Sequence, residues 1–135
     1  MNEENKRHNI QEEMNRADEA MRTSELLYEN GFIKDAVSKL YYSVIYSVRS
    51  LLLTKGLEPK NHEEALRLIG PHFIKSEIFE TKESHLFSKL KKYREEADYN
   101  PSYTFTSQDF IEFKNEAEAL IQKIKIYLKN KDYLF

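Results

Sequence analysis

The chain has no cysteine and no tryptophan, and only three glycines and three prolines among its 135 residues. Without cysteine there is neither a disulfide framework nor a thiolate zinc site, and the composition fits a reducing cytoplasm, which is the expected location. No apolar run approaches the ~20 residues that a membrane span needs. The first ten residues, MNEENKRHNI, are polar and lack the apolar stretch of a signal peptide. There is no glycine-rich phosphate loop, no serine–histidine–aspartate arrangement and no zinc motif. His72 and His85 have no companions at metal-ligand spacing, so neither a metal nor another cofactor is expected. The net charge of −2 argues against a general nucleic-acid binder.

What the chain does have is charge and helical periodicity. Charged residues make up 33% of it, the composition of a helical bundle, and its length implies one domain, 1–135, with a core at about 10–130. The charge is uneven. Residues 1–30 carry eight acids against four bases, residues 31–60 two acids against five bases, and Lys89, Lys91, Lys92 and Arg94 form a second basic run. Such patches steer polyanions or simply solvate a helix face.

Five segments carry apolar residues three and four apart. The first spans about Asn5 to Glu29, with Ile10, Met14, Ala17, Met21, Ser24 and Tyr28 on one stripe, and Asn30-Gly31 is its stop. The second spans about Phe32 to Lys55. The third opens at Asn61, with Glu64 as a capping partner, and Gly70-Pro71 should break or kink it, with a short piece resuming over His72 to Lys75. The fourth spans Thr81 to Ala97, with Leu86, Leu90, Tyr93 and Ala97 inward. The fifth runs from Thr106 to Lys129 on Phe110, Phe113, Ala117, Leu120, Ile124 and Tyr127. Loops fall near 30–31, 56–61, 76–81 and 98–105.

The second segment is apolar or aromatic nearly all round. Ile33, Val37, Leu40, Val44, Val48 and Leu51 form a stripe that Tyr41, Ile45 and Leu52 widen, while Lys39, Tyr42, Tyr46 and Arg49 line the other side. Such a helix is central, and its second face meets either neighbouring helices or a partner subunit. Lys39, Tyr42 and Arg49 are therefore ligand-binding candidates.

KLKKYREEADYN, residues 89–100, is the other informative stretch. Arg94 and Asp98 share a helix face one turn apart, and Tyr99 follows where the helix should fray toward Asn100 and Pro101. An arginine, a carboxylate and a phenol at a helix end can hold a phosphate. The same three residues can equally be a surface ion pair beside a core tyrosine.

Taken in order, GFIKDAVSKLYYSVIYSVRSLLLTKG with its paired Tyr41 and Tyr42, PKNHEEAL with His62, PHFIK, and YREEADYNP with Arg94, Asp98 and Tyr99 resemble the HEPN domain, in its short stand-alone prokaryotic branch. The match covers roughly residues 15–130. This resemblance implies an all-α bundle of four to five helices, a homodimer, and a small nucleotidyltransferase as partner in a toxin–antitoxin-type pair that binds nucleotide or RNA. Catalytic members are metal-independent ribonucleases with an arginine followed, a few residues on, by a histidine. Here Arg94 holds the arginine position, but Tyr99 stands where the histidine is due and all four histidines lie upstream. An active endoribonuclease toxin is accordingly the second expectation, with Arg94, Asp98 and Tyr99 as catalytic candidates and His62 as the imidazole if the fold brings it close. A helical adaptor whose aromatic face binds protein is the third. The dimer is expected through the second and fourth helices, placing Arg94, Asp98 and Tyr99 of two subunits near a shared cleft.

Overall fold

The computed structural model describes residues 2–74 and 79–134. Five α-helices follow one another, α1 Glu3–Glu29, α2 Ile33–Leu53, α3 His62–Ile69, α4 Thr81–Tyr99 and α5 Ser107–Asn130, with a turn of π-helix, Gly70–Ile74, after α3. No strand occurs among the described residues. The expected all-α bundle is what forms.

Local chemistry explains the boundaries. The Asn2 side chain accepts a hydrogen bond from the Asn5 N–H at 2.8 Å, so α1 starts two residues earlier than its apolar stripe suggests. It stops as predicted. The Asn30 side chain and N–H both donate to the Leu26 carbonyl, and Gly31 takes φ +87, a left-handed turn that glycine adopts without steric cost. Asn61 caps α3 by accepting from the Glu64 N–H at 2.8 Å. The Glu64 carboxylate reaches the Lys60 N–H rather than that of the cap residue. At α5, Thr106 and Asp109 bond reciprocally, at 3.0 and 2.9 Å, a complete capping box.

One sequence expectation is refined and one needs correction. Regular α-helix ends at Ile69, before Gly70-Pro71, where a break or kink was expected. The backbone widens into a π-turn, which accommodates the missing proline N–H and its ring without ending the helical path. The piece expected over His72 to Lys75 is part of this turn as far as Ile74, while Lys75 and residues 76–78 of the expected 76–81 loop lie outside the described residues. The fourth helix runs two residues past Ala97, so Asp98 and Tyr99 are its last helical residues and not loop. Side-chain bonds to Asp98, described below, hold that final turn against α2.

α2 is the centre of the bundle and packs against α1, α3, α4 and α5. Val37, Leu40, Val44, Ile45, Val48, Leu51 and Leu52 are fully buried. Ser43, Ser47 and Ser50 are buried with them, and each hydroxyl donates to the carbonyl three residues back. These bonds satisfy polar groups that would otherwise be costly inside. Ile10, Met14 and Ala17 of α1 and Phe110, Phe113, Ala117 and Ile124 of α5 complete the core, and Tyr28 stacks on Phe110 with ring centroids 4.3 Å apart. No helix among the described residues is long and apolar enough to cross a membrane.

Candidate functional site, a cationic cleft over an aromatic floor

The second face of α2 is covered from within the chain. The short turn through Glu58 and Pro59 brings the start of α3 back over it, and Arg49 of α2 donates to the Pro59 carbonyl at 3.3 Å, pinning the turn. His62, the first residue of α3, thereby enters a group of α2 aromatics. Its ring lies 5.9, 5.3 and 6.4 Å from those of Tyr41, Tyr42 and Tyr46, edge-on to the last two. Tyr41 and Tyr42 themselves meet edge to face.

Arginines from three helices stand around His62, two of them against tyrosine rings. The Arg94 guanidinium of α4 stands 5.7 Å from the Tyr41 ring and 5.0 Å from that of Tyr99. Arg16 of α1 lies 4.1 Å over the Tyr46 ring, within the range of cation–π attraction, and bonds to Glu13 at 3.1 Å. Arg49 has its Nε 3.5 Å from the same Glu13 carboxylate.

Asp98 organises the end of α4. Its Oδ2 is 3.2 Å from Arg94 Nε, an ion pair without hydrogen-bond alignment. Its Oδ1 accepts from the Ser38 hydroxyl of α2 at 3.0 Å, and Lys34 Nζ donates to the Asn100 carbonyl at 2.8 Å. Ser38, Asp98 and Arg94 thus form a chain of contacts from α2 to the guanidinium.

These elements enclose an open cleft of about 960 Å³, at the upper end of ordinary ligand pockets. Arg16, Arg49, Lys60, Arg67, Lys91 and Arg94 line it, six cations against the two acids Glu63 and Glu95. Tyr41, Tyr46, His62, Leu66 and Phe87 supply its flat and apolar lining. Lys60 and Lys91 have no ion-pair partner among the described residues. Burial and the positive fields of Arg49, Arg94 and Arg16 lower the His62 pKa below its ordinary value, leaving a neutral imidazole at pH 7. Burial pushes the Tyr41 phenol up to about 12, with Arg94 partly opposing it. Tyr41 is therefore a proton donor and not a base at neutral pH.

The sequence-derived candidates divide. Arg94, His62 and Arg49 come together at the cleft, and Tyr42 meets it through His62. Asp98 stands behind Arg94. Tyr99 is 68% exposed, beside the guanidinium and not in the cleft lining. Lys39 is exposed, its Nζ 5.9 Å from the Tyr42 ring, and does not line the cleft. Sequence reasoning missed Arg16, Lys60, Arg67 and Ser38. The available signal was the shortness of the 54–61 connection, which keeps the start of α3, with Lys60 and Arg67, close to α2. Among the described residues no three His, Asp or Glu side chains gather where they can hold a metal ion.

The fold and the cleft define a small all-α domain with cations gathered over an aromatic floor. The chain belongs to the HEPN domain family, whose model matches residues 10–127. It is similar to two proteins of Methanocaldococcus jannaschii. One, named "Putative toxin MJ0142", is 36% identical over 120 residues, covering 88% of this chain and 77% of that protein. The other, named "Putative toxin MJ0605", is 32% identical over 123 residues, covering 91% of each. A protein of Thermotoga maritima named UPF0332 protein is 27% identical over 110 residues, covering 82% of this chain and 83% of the relative.

Proposed function

We propose that this chain is the toxin-like HEPN half of a cytoplasmic two-component pair with a nucleotidyltransferase, and that its cleft binds nucleotide or RNA by the phosphates. The observation that carries the reading is the cleft itself, where six cations gather around tyrosine and phenylalanine rings, Lys60 and Lys91 of them without an ion-pair partner among the described residues, in a chain of net charge −2. A positive groove with aromatic surfaces is the chemistry that holds single-stranded nucleic acid, phosphates on the cations and bases against the rings. The names of the two archaeal relatives support the toxin-like part of the reading.

The test is a fluorescence-anisotropy titration of a labelled single-stranded RNA at several salt concentrations, together with co-purification of a nucleotidyltransferase encoded beside the gene. Binding that weakens steeply with salt and falls in Arg94→Ala supports the reading. Salt-independent or absent binding rejects it.

A homodimer belongs to the same proposal. Tyr99 stands exposed at the end of α4, and a two-fold partner there brings a second set of Arg94, Asp98 and Tyr99 to one cleft. A second reading, a metal-independent endoribonuclease toxin, is favoured by one observation, the presence of His62 in the same cleft as Arg94.

A further inference from the structure

His62 is the one group lining this cleft whose side-chain type changes charge near neutral pH, and it is faced by charge from every element around it. From α2 come Arg49 and the three tyrosines, and from α1 comes Arg16, with Glu13 behind it. From α4 come Arg94, backed by Asp98, and the cleft-lining Lys91 and Glu95. The start of α3 and the turn before it add Lys60, Glu63 and Arg67, the last paired with Glu64. The balance is positive.

We infer that His62 is a phosphate-gripping residue of this cleft, and that a nucleic-acid strand settling across Arg16, Arg49 and Arg94 brings one proton with it onto the His62 imidazole. The inference rests on the proposed binding of nucleotide or RNA in the cleft.

With the cleft empty, a second proton on the ring meets three guanidinium charges and a partly dry setting, so the ring stays neutral. A phosphodiester reverses both conditions. Its negative charge offsets the arginines, and its oxygens accept a charge-assisted hydrogen bond that only the imidazolium gives from both nitrogens. The ring therefore binds its proton more tightly when the strand is present. By linkage, the strand binds more tightly where that proton is available. An uncharged base or sugar in the cleft has no such effect, so proton uptake marks a phosphate beside His62.

The probe is a single-stranded 2′-O-methyl oligoribonucleotide of mixed sequence, which lacks the hydroxyl needed for self-cleavage. Calorimetric titration near pH 6.5 in two buffers of different ionisation heat counts the protons taken up. Affinity is measured across about pH 5.5–8, above the ordinary range of carboxylates. The expected result is uptake approaching one proton, and affinity rising as pH falls by up to about tenfold per pH unit. His62→Gln should bind with an affinity that no longer changes with pH. The combined variant His8→Gln, His72→Gln, His85→Gln should keep the uptake, and it assigns the proton to His62 even if His62→Gln fails to fold. Binding with equal heats in both buffers and no pH dependence overturns the inference while the binding reading stands. So does an unchanged pH profile in His62→Gln, or loss of the uptake in the combined variant. Absence of binding at every pH overturns the binding reading, and the inference with it.

Discussion

Asp98 Oδ2 stands 3.2 Å from Arg94 Nε, one helical turn away, while the other oxygen of that carboxylate is held by Ser38. The carboxylate is thus committed to orienting the guanidinium, and the terminal nitrogens of Arg94 are the groups left to meet a ligand. Arg94→Ala should weaken RNA binding by about 1.5–3 kcal/mol, the worth of a hydrogen bond to a charged group, or roughly ten- to a hundredfold. Arg94→Lys should restore only part of this, because lysine keeps the charge and loses the planar fork. Asp98→Ala and Ser38→Ala should act in the same direction and more weakly. Anisotropy titrations of the four variants check the order. An Asp98→Ala loss equal to that of Arg94→Ala places Asp98 on the ligand and overturns the assignment.

His62 also leaves a mark on stability. Its folded pKa lies below the ordinary value, owing to burial and then to Arg49, Arg94 and Arg16. Below about pH 6.5 the unfolded chain therefore binds more protons at this position than the folded chain does. Stability from this group is full above that pH, is lost as pH falls toward the folded value, and levels off below it. Thermal melts of the ligand-free protein should shift downward between pH 7 and 5.5. His62→Gln should shift less over the same interval, and an equal shift in both proteins refutes the claim.

Glu83 gives a second, separable pH effect. It is 5% exposed near the start of α4, where it accepts from the Glu80 N–H at 2.9 Å and from Lys123 of α5 at 2.7 Å. Burial raises its pKa, but the hydrogen bonds from Lys123 and the backbone outweigh burial, and the net direction is downward. A depressed carboxylate contributes stability above its unfolded pKa of about 4.3 and loses it as pH falls through the folded value. Lys123→Met should cost on the order of 1–3 kcal/mol in urea unfolding at pH 7, since it strips a buried charge of its partner. Lys123 is partly solvent-exposed, which limits the effect. The difference from the parent protein should shrink below pH 4. A constant difference at both pH values removes Glu83 as the cause.

Much of the bundle was legible because its signals are local. The stripes of α1, α2 and α5, the Asn61 cap and the Gly31 turn follow from residues within a few positions of one another. The π-turn at Pro71 was not legible, because whether proline breaks a helix or widens it depends on the packing on either side. The length of α4 was not legible either, since Ser38, sixty residues away, holds Asp98 in its last turn. The same physics limited the site. Arg94 and His62 stood out by motif, but Arg16, Lys60 and Arg67 acquire their meaning only where α1, α3 and α4 converge on the rings of α2. The face of Tyr42 and Tyr46 looked as suited to a partner subunit as to the protein's own α3. His62 covers it, so the case for a dimer now rests on the exposed Tyr99 at the end of α4. Light scattering at micromolar concentration should give twice the 16.1 kDa chain mass, and Tyr99→Ser should lower it toward the single-chain value. A parent protein that remains at 16.1 kDa rejects the dimer.

Binding and cleavage of RNA are separated by two substitutions near Arg94. Metal-independent cleavage needs a base for the 2′-hydroxyl, an acid for the departing oxygen and a cation for the charge on phosphorus. In the ribonuclease reading His62, protonated as the strand binds, is the acid for the departing oxygen, Arg94 is the cation, and the 2′-hydroxyl proton passes to water. His62→Ala should then abolish cleavage of a cellular RNA pool in the presence of a chelator, by about a hundredfold or more, while RNA at pH 8 remains bound. Tyr99→His is the second substitution. It places an imidazole on the exposed last turn of α4, where the present ring lies 5.0 Å from the Arg94 guanidinium, and should raise cleavage above that of the parent. Gel analysis of end-labelled RNA, scored for cyclic phosphate ends, reads both results. If the parent and Tyr99→His both bind RNA and leave it intact, the ribonuclease reading fails and the cleft is a binding site only. If the parent cuts and His62→Ala cuts equally well, the acid is another group, and the catalytic role of His62 is withdrawn.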